Sequence, residues 1–271
     1  MARGLTRYLA WLIIAVLVFL TLFPLFWTLL SAFKNRVDIV TTSPVFFFTP
    51  TLDNFTYILT RDSVQAGLIN SLIVTGSAVA IGAVLGLPCA YAVARYPMRL
   101  ADDIKFFVLS MRFMPPVAIA VPLMVIWLNL GLYDSRIALI ITYSLSTLAT
   151  TVWLAIPAFS RVPREIEEAA YVDGYGPYSI FFRIAIPVAA KSLIGAIVFS
   201  FILVWNEFFI ALMLTTSDAK TLPIVASEFT LLGRDVPWGI LNASVILLSL
   251  PPLLFLGVIS SFINSALKSR D

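Results

Sequence analysis

The residues of this chain able to do chemistry are few, and most crowd into one stretch, EEAAYVDGYGPYSIFFRIAIP, residues 167–187. Glu165, Glu167 and Glu168 follow closely on Pro163. A proline is a natural first helical residue, and acid in the opening turns is favoured by the helix dipole. Ile166, Ala169, Ala170 and Asp173 share one face at i, i+3, i+4 and i+7 spacing. Gly174 can take the positive φ that stops a helix. Pro177 can start another, whose Tyr178, Phe181 and Phe182 lie on the membrane or on neighbouring spans. The expected product over 161–184 is helix, glycine bend, helix: short, rigid, acidic and rich in small residues. That shape suits docking into a groove on another protein. An ordinary amphipathic linker at the headgroups would instead carry Lys and Arg on its polar face.

Elsewhere the polar groups inside apolar runs are Asn70, Arg112, Asn206, Glu207 and Asn242, with scattered hydroxyls. Intramembrane polar residues mark a substrate path by default. Amides and hydroxyls suit a sugar, which offers many hydroxyls and stackable C–H faces. Trp127, Trp153 and Trp205 could stack on such faces, but each is read here as an interfacial anchor. Glu207 lies roughly 30 Å along a helix from Pro187, nearer the outer interface than the midplane, where it would structure an outer gate. Arg112, beside a cluster of prolines, is expected to pair with backbone carbonyls or a neighbouring chain rather than a ligand.

Catalytic apparatus is missing from the sequence. His is absent and Cys89 is the only cysteine, which excludes an intrachain disulfide and a zinc or iron–sulfur site built within the chain. No G-x-x-x-x-G-K-[ST] phosphate loop occurs. No residue is assigned a catalytic or metal-binding role.

The elements that must position these residues are membrane spans. Of 271 residues, 60% are hydrophobic and 12% charged, with a mean hydropathy of +0.97. A soluble domain carries roughly twice that charge. The apolar runs are continuous rather than alternating, so they predict helices and not a barrel. Six spans fit, at about 8–33, 66–94, 104–129, 137–159, 186–214 and 240–266, in a single all-α domain over 1–271. The first run is far longer than a signal-peptide core and is read as a retained span. Pro24 is expected to kink it, Pro115, Pro116 and Pro122 to bend or interrupt the third, and Pro251 and Pro252 to bend the sixth. Gly82 and Gly86 have the small-xxx-small spacing that lets another helix approach closely, although chance glycines would look the same. With both termini inside, the inner segments hold Arg3, Arg7, Arg95, Arg99, Lys105, Arg161, Arg164, Arg183, Lys191, Lys268 and Arg270. The outer segments hold Lys34, Arg36, Arg61, Arg136, Lys220 and Arg234. That excess of basic residues supports cytoplasmic N- and C-termini.

Glu168-Ala169-Ala170, three residues, Gly174, then Ile184-Ala185-Ile186-Pro187 resembles the EAA loop of bacterial ABC importer permeases. The version with Asp before the glycine and Pro three residues after it is similar to that of the carbohydrate-uptake (maltose-type) group. NSLIV after the first outer loop, PP…P…GLYD in the third span and WNEF in the fifth extend the resemblance over most of the chain. Tyr175, Ile186 and Lys191 depart from the family's usual Ala, Leu and Pro; the first bears on how the bend packs against its partner.

The resemblance implies a multi-pass inner-membrane permease subunit of an ATP-driven importer, whose EAA helix sits in a cleft of a separate ATP-binding subunit. It puts the coupling role on Glu167, Glu168, Ala169, Ala170, Asp173, Gly174 and Pro187, with Glu168 pairing with a basic residue of that subunit. It implies two ATP-binding subunits that hold ATP and Mg, no cofactor in this chain, and a second, related permease subunit. An extracytoplasmic binding protein would deliver a carbohydrate; lipid surrounds the chain and nucleic acid has no part. A permease for another solute is the nearer alternative. An ion-coupled transporter would want mid-membrane protonatable groups and paired repeats, and an intramembrane enzyme a nucleophile with its base.

Overall fold

The computed structural model describes residues 2–231 and 236–268, with side chains described for 7–230 and 236–259. Among these residues every regular element is helical: α1 (Ala2–Ala32), α2 (Arg36–Ile39), α3 (Asp53–Leu59), α4 (Asp62–Arg95), α5 (Ala101–Phe113), α6 (Pro116–Asn129), α7 (Arg136–Ser160), α8 (Arg164–Val172), α9 (Pro177–Ile180), α10 (Ile186–Trp205), α11 (Phe209–Leu214), α12 (Leu222–Glu228) and α13 (Trp238–Lys268). Among the described residues, five helices are long and apolar enough to cross a membrane: α1, α4, α7, the run Pro177–Trp205, and α13. Helices α5 and α6 make a sixth candidate, bent by 90°. Pro115 and Pro116 explain the break. Proline lacks the N–H that would continue the ladder, and it pushes the preceding residue to extended backbone, where Met114 sits with ψ 120°.

The run that enters the membrane after α8 starts at Pro177, nine residues before the sequence reading placed it. It passes through a π-helical stretch, Phe181–Ala185, into α10. At its other end it stops at Trp205 instead of running on to 214. The carboxylate of Glu207 causes this second break: Oε1 accepts from Ile210 N at 2.9 Å and Oε2 from Ala211 N at 3.2 Å. The side chain thus satisfies donors that open α11 and replaces the ladder it interrupts.

The chain forms two compact units. One comprises the described residues up to Gln65 together with Val225–Leu250. In it, residues 7–26 of α1 are exposed on every face, so that helix presents its apolar surface to lipid or to another chain. Asn54 Nδ2 donates to the carbonyls of Ala32 and Lys34, at 2.9 and 3.0 Å, closing the end of α1.

The other unit holds Ala66–Ile224 and the described residues from Pro251. Its centre is α7, buried along most of its length. Two glycines of α4, Gly82 and Gly86, pack there. A Cβ on Gly82 would fall 2.9 Å from the backbone carbonyl carbon of Thr147, and one on Gly86 would lie 3.1 Å from Thr151 Cβ. Thr147 Oγ1 donates across the seam to Ala78 O at 2.7 Å. Gly82→Leu is therefore expected to cost about 1–3 kcal/mol of overpacking, read as a lower thermal midpoint of the purified protein. Gly76→Leu, where an added carbon meets open space, is the control and should leave the midpoint in place.

Candidate functional site

Helix α8 begins at Arg164, with Pro163 just outside it at φ −60° and ψ 131°. Its end is closed by Gly174 at φ +85°. Tyr175 N donates to Ala170 O at 2.9 Å and Gly174 N to Tyr171 O at 3.0 Å, the paired bonds that accompany a left-handed glycine stop. A Cβ on Gly174 meets nothing within 4 Å, so only the backbone resists substitution. Gly174→Val should cost about 1–2 kcal/mol from the left-handed backbone, and Gly174→Asn less, because Asn tolerates that region. A Val variant with an unshifted thermal midpoint and full activity would show that the bend is not required.

The adjacent glutamates differ in burial. Glu168 and Ala169 are exposed, as are Glu165, Ile166 and Asp173. Glu167 and Ala170 are buried. Glu167 Oε1 receives Arg95 Nε at 3.1 Å, its Oε2 receives the Tyr91 hydroxyl at 3.2 Å, and Arg95 Nη2 also donates to Val162 O. The Arg95 and Glu167 side chains are 6% and 9% exposed, so this is a buried ion pair with its remaining acceptors filled. Removing one partner of such a pair costs about 3–5 kcal/mol. The Tyr91 ring packs on Phe159 at 5.3 Å and Phe181 at 5.1 Å. A recess of about 140 Å³, lined by Tyr91, Arg95, Tyr96, Arg164, Glu167, Glu168 and Tyr171, lies beside the pair. The Tyr96 and Tyr171 hydroxyls meet at 3.3 Å; that bond, with burial second, pushes the Tyr96 phenol up to about 12. Pro187, half-buried, sits at the start of α10, away from the exposed face of α8.

Within the unit that holds α7, the intramembrane polar residues do not form one cluster. Arg112 and Glu207 line a common cleft of about 500 Å³, together with Thr142, Tyr143, Ser146 and a wall of Met, Pro, Leu and Ile. Arg112 lies 5.6 Å from the Phe199 ring, a cation–π contact. Glu207 accepts from the Tyr143 hydroxyl at 2.5 Å besides capping α11. Asn70 is outside the cleft. Its amide donates to Asp218 O and Lys220 O, both at 2.9 Å, and its oxygen accepts from Arg136 Nε at 2.6 Å. Asn206 Nδ2 donates back to Ile202 O at 2.8 Å at the end of α10. Asn242, half-buried on α13, belongs to the unit that contains α1. The tryptophans also need correction. Trp205 is 1% exposed and stacks on Phe201 at 5.7 Å, and Trp127 is buried with Nε1 bonded to Thr142 Oγ1 at 3.1 Å. Neither is an interfacial anchor; helix packing claimed both. Trp153 is 40% exposed.

Residues 82–270 match the family of binding-protein-dependent transport system inner membrane components. The chain belongs to this family. The probable ABC transporter permease protein y4oR of Sinorhizobium fredii is 33% identical, covering 97% of this chain and 94% of its own. The trehalose transport system permease protein SugB of Mycobacterium tuberculosis is 29% identical, covering 98% of each. The fold is similar to a chain of a bacterial ABC transporter involved in the import of the polysaccharide alginate, with a TM-score of 0.78, 18% identity, and 97% of this chain and 98% of that one covered. The protein is thus a membrane-spanning permease subunit of an ABC importer.

Two sets of residues in this permease escaped the sequence reading. Arg95 and Tyr91 lie more than 70 positions from Glu167; the only local signal was a basic residue closing a long apolar run. Asp134 is the other. Its carboxylate gathers the backbone N–H groups of Thr216, Ser217, Asp218 and Ala219 and the hydroxyls of Thr216 and Ser217. The run TTSDAK, dense in small polar donors, was the available hint.

Proposed function

We propose that this permease moves a carbohydrate (a sugar, oligosaccharide or polyol) handed to it by an extracytoplasmic binding protein, and that α8 is the helix on which its ATP-binding subunits pull. The observation that carries the coupling reading is the split between Glu167 and Glu168. One carboxylate is tied inward, leaving Glu165, Glu168, Ala169 and Asp173 exposed among the described residues. Acid beside a single methyl fits a basic side chain arriving on a closely apposed surface. In this reading two ATP-binding subunits hold ATP and Mg, a second and related permease chain covers the 500 Å³ cleft and α1, and both termini lie in the cytoplasm. Helix α8, between two spans, then faces the same side.

Support for a carbohydrate comes from the trehalose system named for one relative and the alginate importer with the similar fold. The cleft agrees in kind, with the hydroxyls of Thr142, Tyr143 and Ser146 set in an apolar wall. The direct experiment is a thermal-shift screen of the cognate binding protein against disaccharides, polyols and amino acids. Uptake of the compound that binds is then followed in cells with and without the ATP-binding subunit. Stabilisation by carbohydrates alone, with uptake lost when that subunit is deleted, is the expected result. Stabilisation only by amino acids would turn the reading to another solute, and uptake without the subunit would overturn the ATP-driven mechanism.

A further inference from the structure

We infer that Arg95, held by Glu167 and backed by Tyr91, is the positioning residue that makes α8 and α4 move as one body, so that a pull on α8 reaches the membrane through α4. The inference rests on α8 being the coupling helix and goes beyond it, because it assigns the route by which the pull leaves that helix.

Several bonds converge on one guanidinium. Arg95 stands in the last turn of α4. Its Nε bonds Glu167 inside α8, and its Nη2 bonds the Val162 carbonyl in the turn that precedes α8. The same side chain thus clamps the entry to α8 and its first full turn. A lysine, a point charge without the planar fork, would not hold both. Tyr91, one turn earlier on α4, fills the second oxygen of Glu167. Its ring bears on Phe159 at the end of α7 and on Phe181 in the π-helical stretch that leads into α10. Sliding α8 against α4 would strand a buried carboxylate and a buried guanidinium, whereas moving both helices together strands neither. By contrast, Glu168 is exposed, open to a partner. A π-helical stretch at this junction is the kind of local irregularity that absorbs a change of direction between packed helices.

The test uses the assembled importer in lipid nanodiscs, with ATP as the only small-molecule probe. The readout is the ratio of ATP hydrolysis with saturating binding protein to hydrolysis without it. That ratio reports whether a signal from the outer face reaches the ATP-binding subunits. Arg95→Gln should bring the ratio down toward one, a loss of about tenfold in coupling, with Arg95→Lys in between and Tyr91→Phe smaller, about two- to threefold. A merely structural Arg95 would lower the yield of complex and leave the ratio of the surviving complex at its wild-type value, and that result overturns the inference. If Arg95→Gln does not assemble, Arg95→Lys and Tyr91→Phe decide: wild-type ratios in both overturn it. Glu168→Lys, run alongside, separates the two layers. A wild-type ratio there removes the coupling helix itself. A collapsed ratio there beside an unchanged one in Arg95→Gln removes only the route through α4.

Discussion

Glu168→Lys is expected to insert and fold normally while abolishing transport and releasing ATP hydrolysis from control by substrate. Glu168 is exposed on α8 and makes no ion pair with any described residue, so its reversal removes nothing from the chain's own packing. In the proposed coupling, the cost falls on the contact with the ATP-binding subunit. A carboxylate at such an interface fixes register, and a like charge set against a basic partner is repelled at short range. The loss of coupling should reach about a hundredfold or more, because truncating one partner of a buried charge pair already costs binding heavily and reversal adds repulsion. Glu168→Gln, which keeps shape and loses only charge, should fall between. The measurement is uptake of the carbohydrate returned by the binding-protein screen, beside phosphate release, in one proteoliposome preparation. Wild-type uptake in the Lys variant would mean that α8 is not where force enters.

Much of this architecture could be read from local chemistry, and the exceptions share a cause. Continuous apolar runs become helices because lipid leaves the backbone no other partners. Pro115-Pro116 breaks the third span, and Gly174 bends the chain, because those residues act on their own backbone. Other features depend on what arrives from far along the sequence. Which of Glu167 and Glu168 faces inward was decided by Arg95, 72 positions away. Trp205 looked like an anchor at a helix end, but Phe201 stacks on it and the surrounding helices bury it. Asn70 looked like a ligand for substrate. Its amide is occupied by the carbonyls of Asp218 and Lys220, so no hydrogen-bonding capacity of its nitrogen is left for the cleft. The fifth span was expected to run unbroken through WNEF, since no Gly or Pro marks the place. A glutamate that caps the next turn ends a helix as effectively as either, and that depends on where its carboxylate is held, here by Tyr143 from α7.

The second large effect is expected at Asp134. Six donors from four consecutive residues, 216–219, converge on its two oxygens at 2.8–3.1 Å. The chain is held from α4 as well, where Asn70 binds the Asp218 and Lys220 carbonyls and Ser71 Oγ accepts from Leu222 N at 2.8 Å. Burial would raise the Asp134 carboxyl, but the N–H groups of Asp218, Ala219 and Thr216 and the Thr216 hydroxyl hold it well below the usual carboxylate range. A carboxyl lowered on folding contributes stability that is full above its unfolded value, about 3.9, and is lost as pH falls through the folded one. The anchor should therefore be indifferent to pH across the neutral and mildly acidic range. Asp134→Asn keeps the shape and tolerates the residue's φ of 56°, yet it turns one acceptor into a donor facing donors. The expected cost is about 2 kcal/mol, seen as a lower thermal midpoint and as new protease cleavage within 215–221. The gap between wild type and variant should stay constant from pH 8 to pH 5 and close only in strong acid. A gap that closed near pH 6 would mean that the carboxylate is not held as the six donors require.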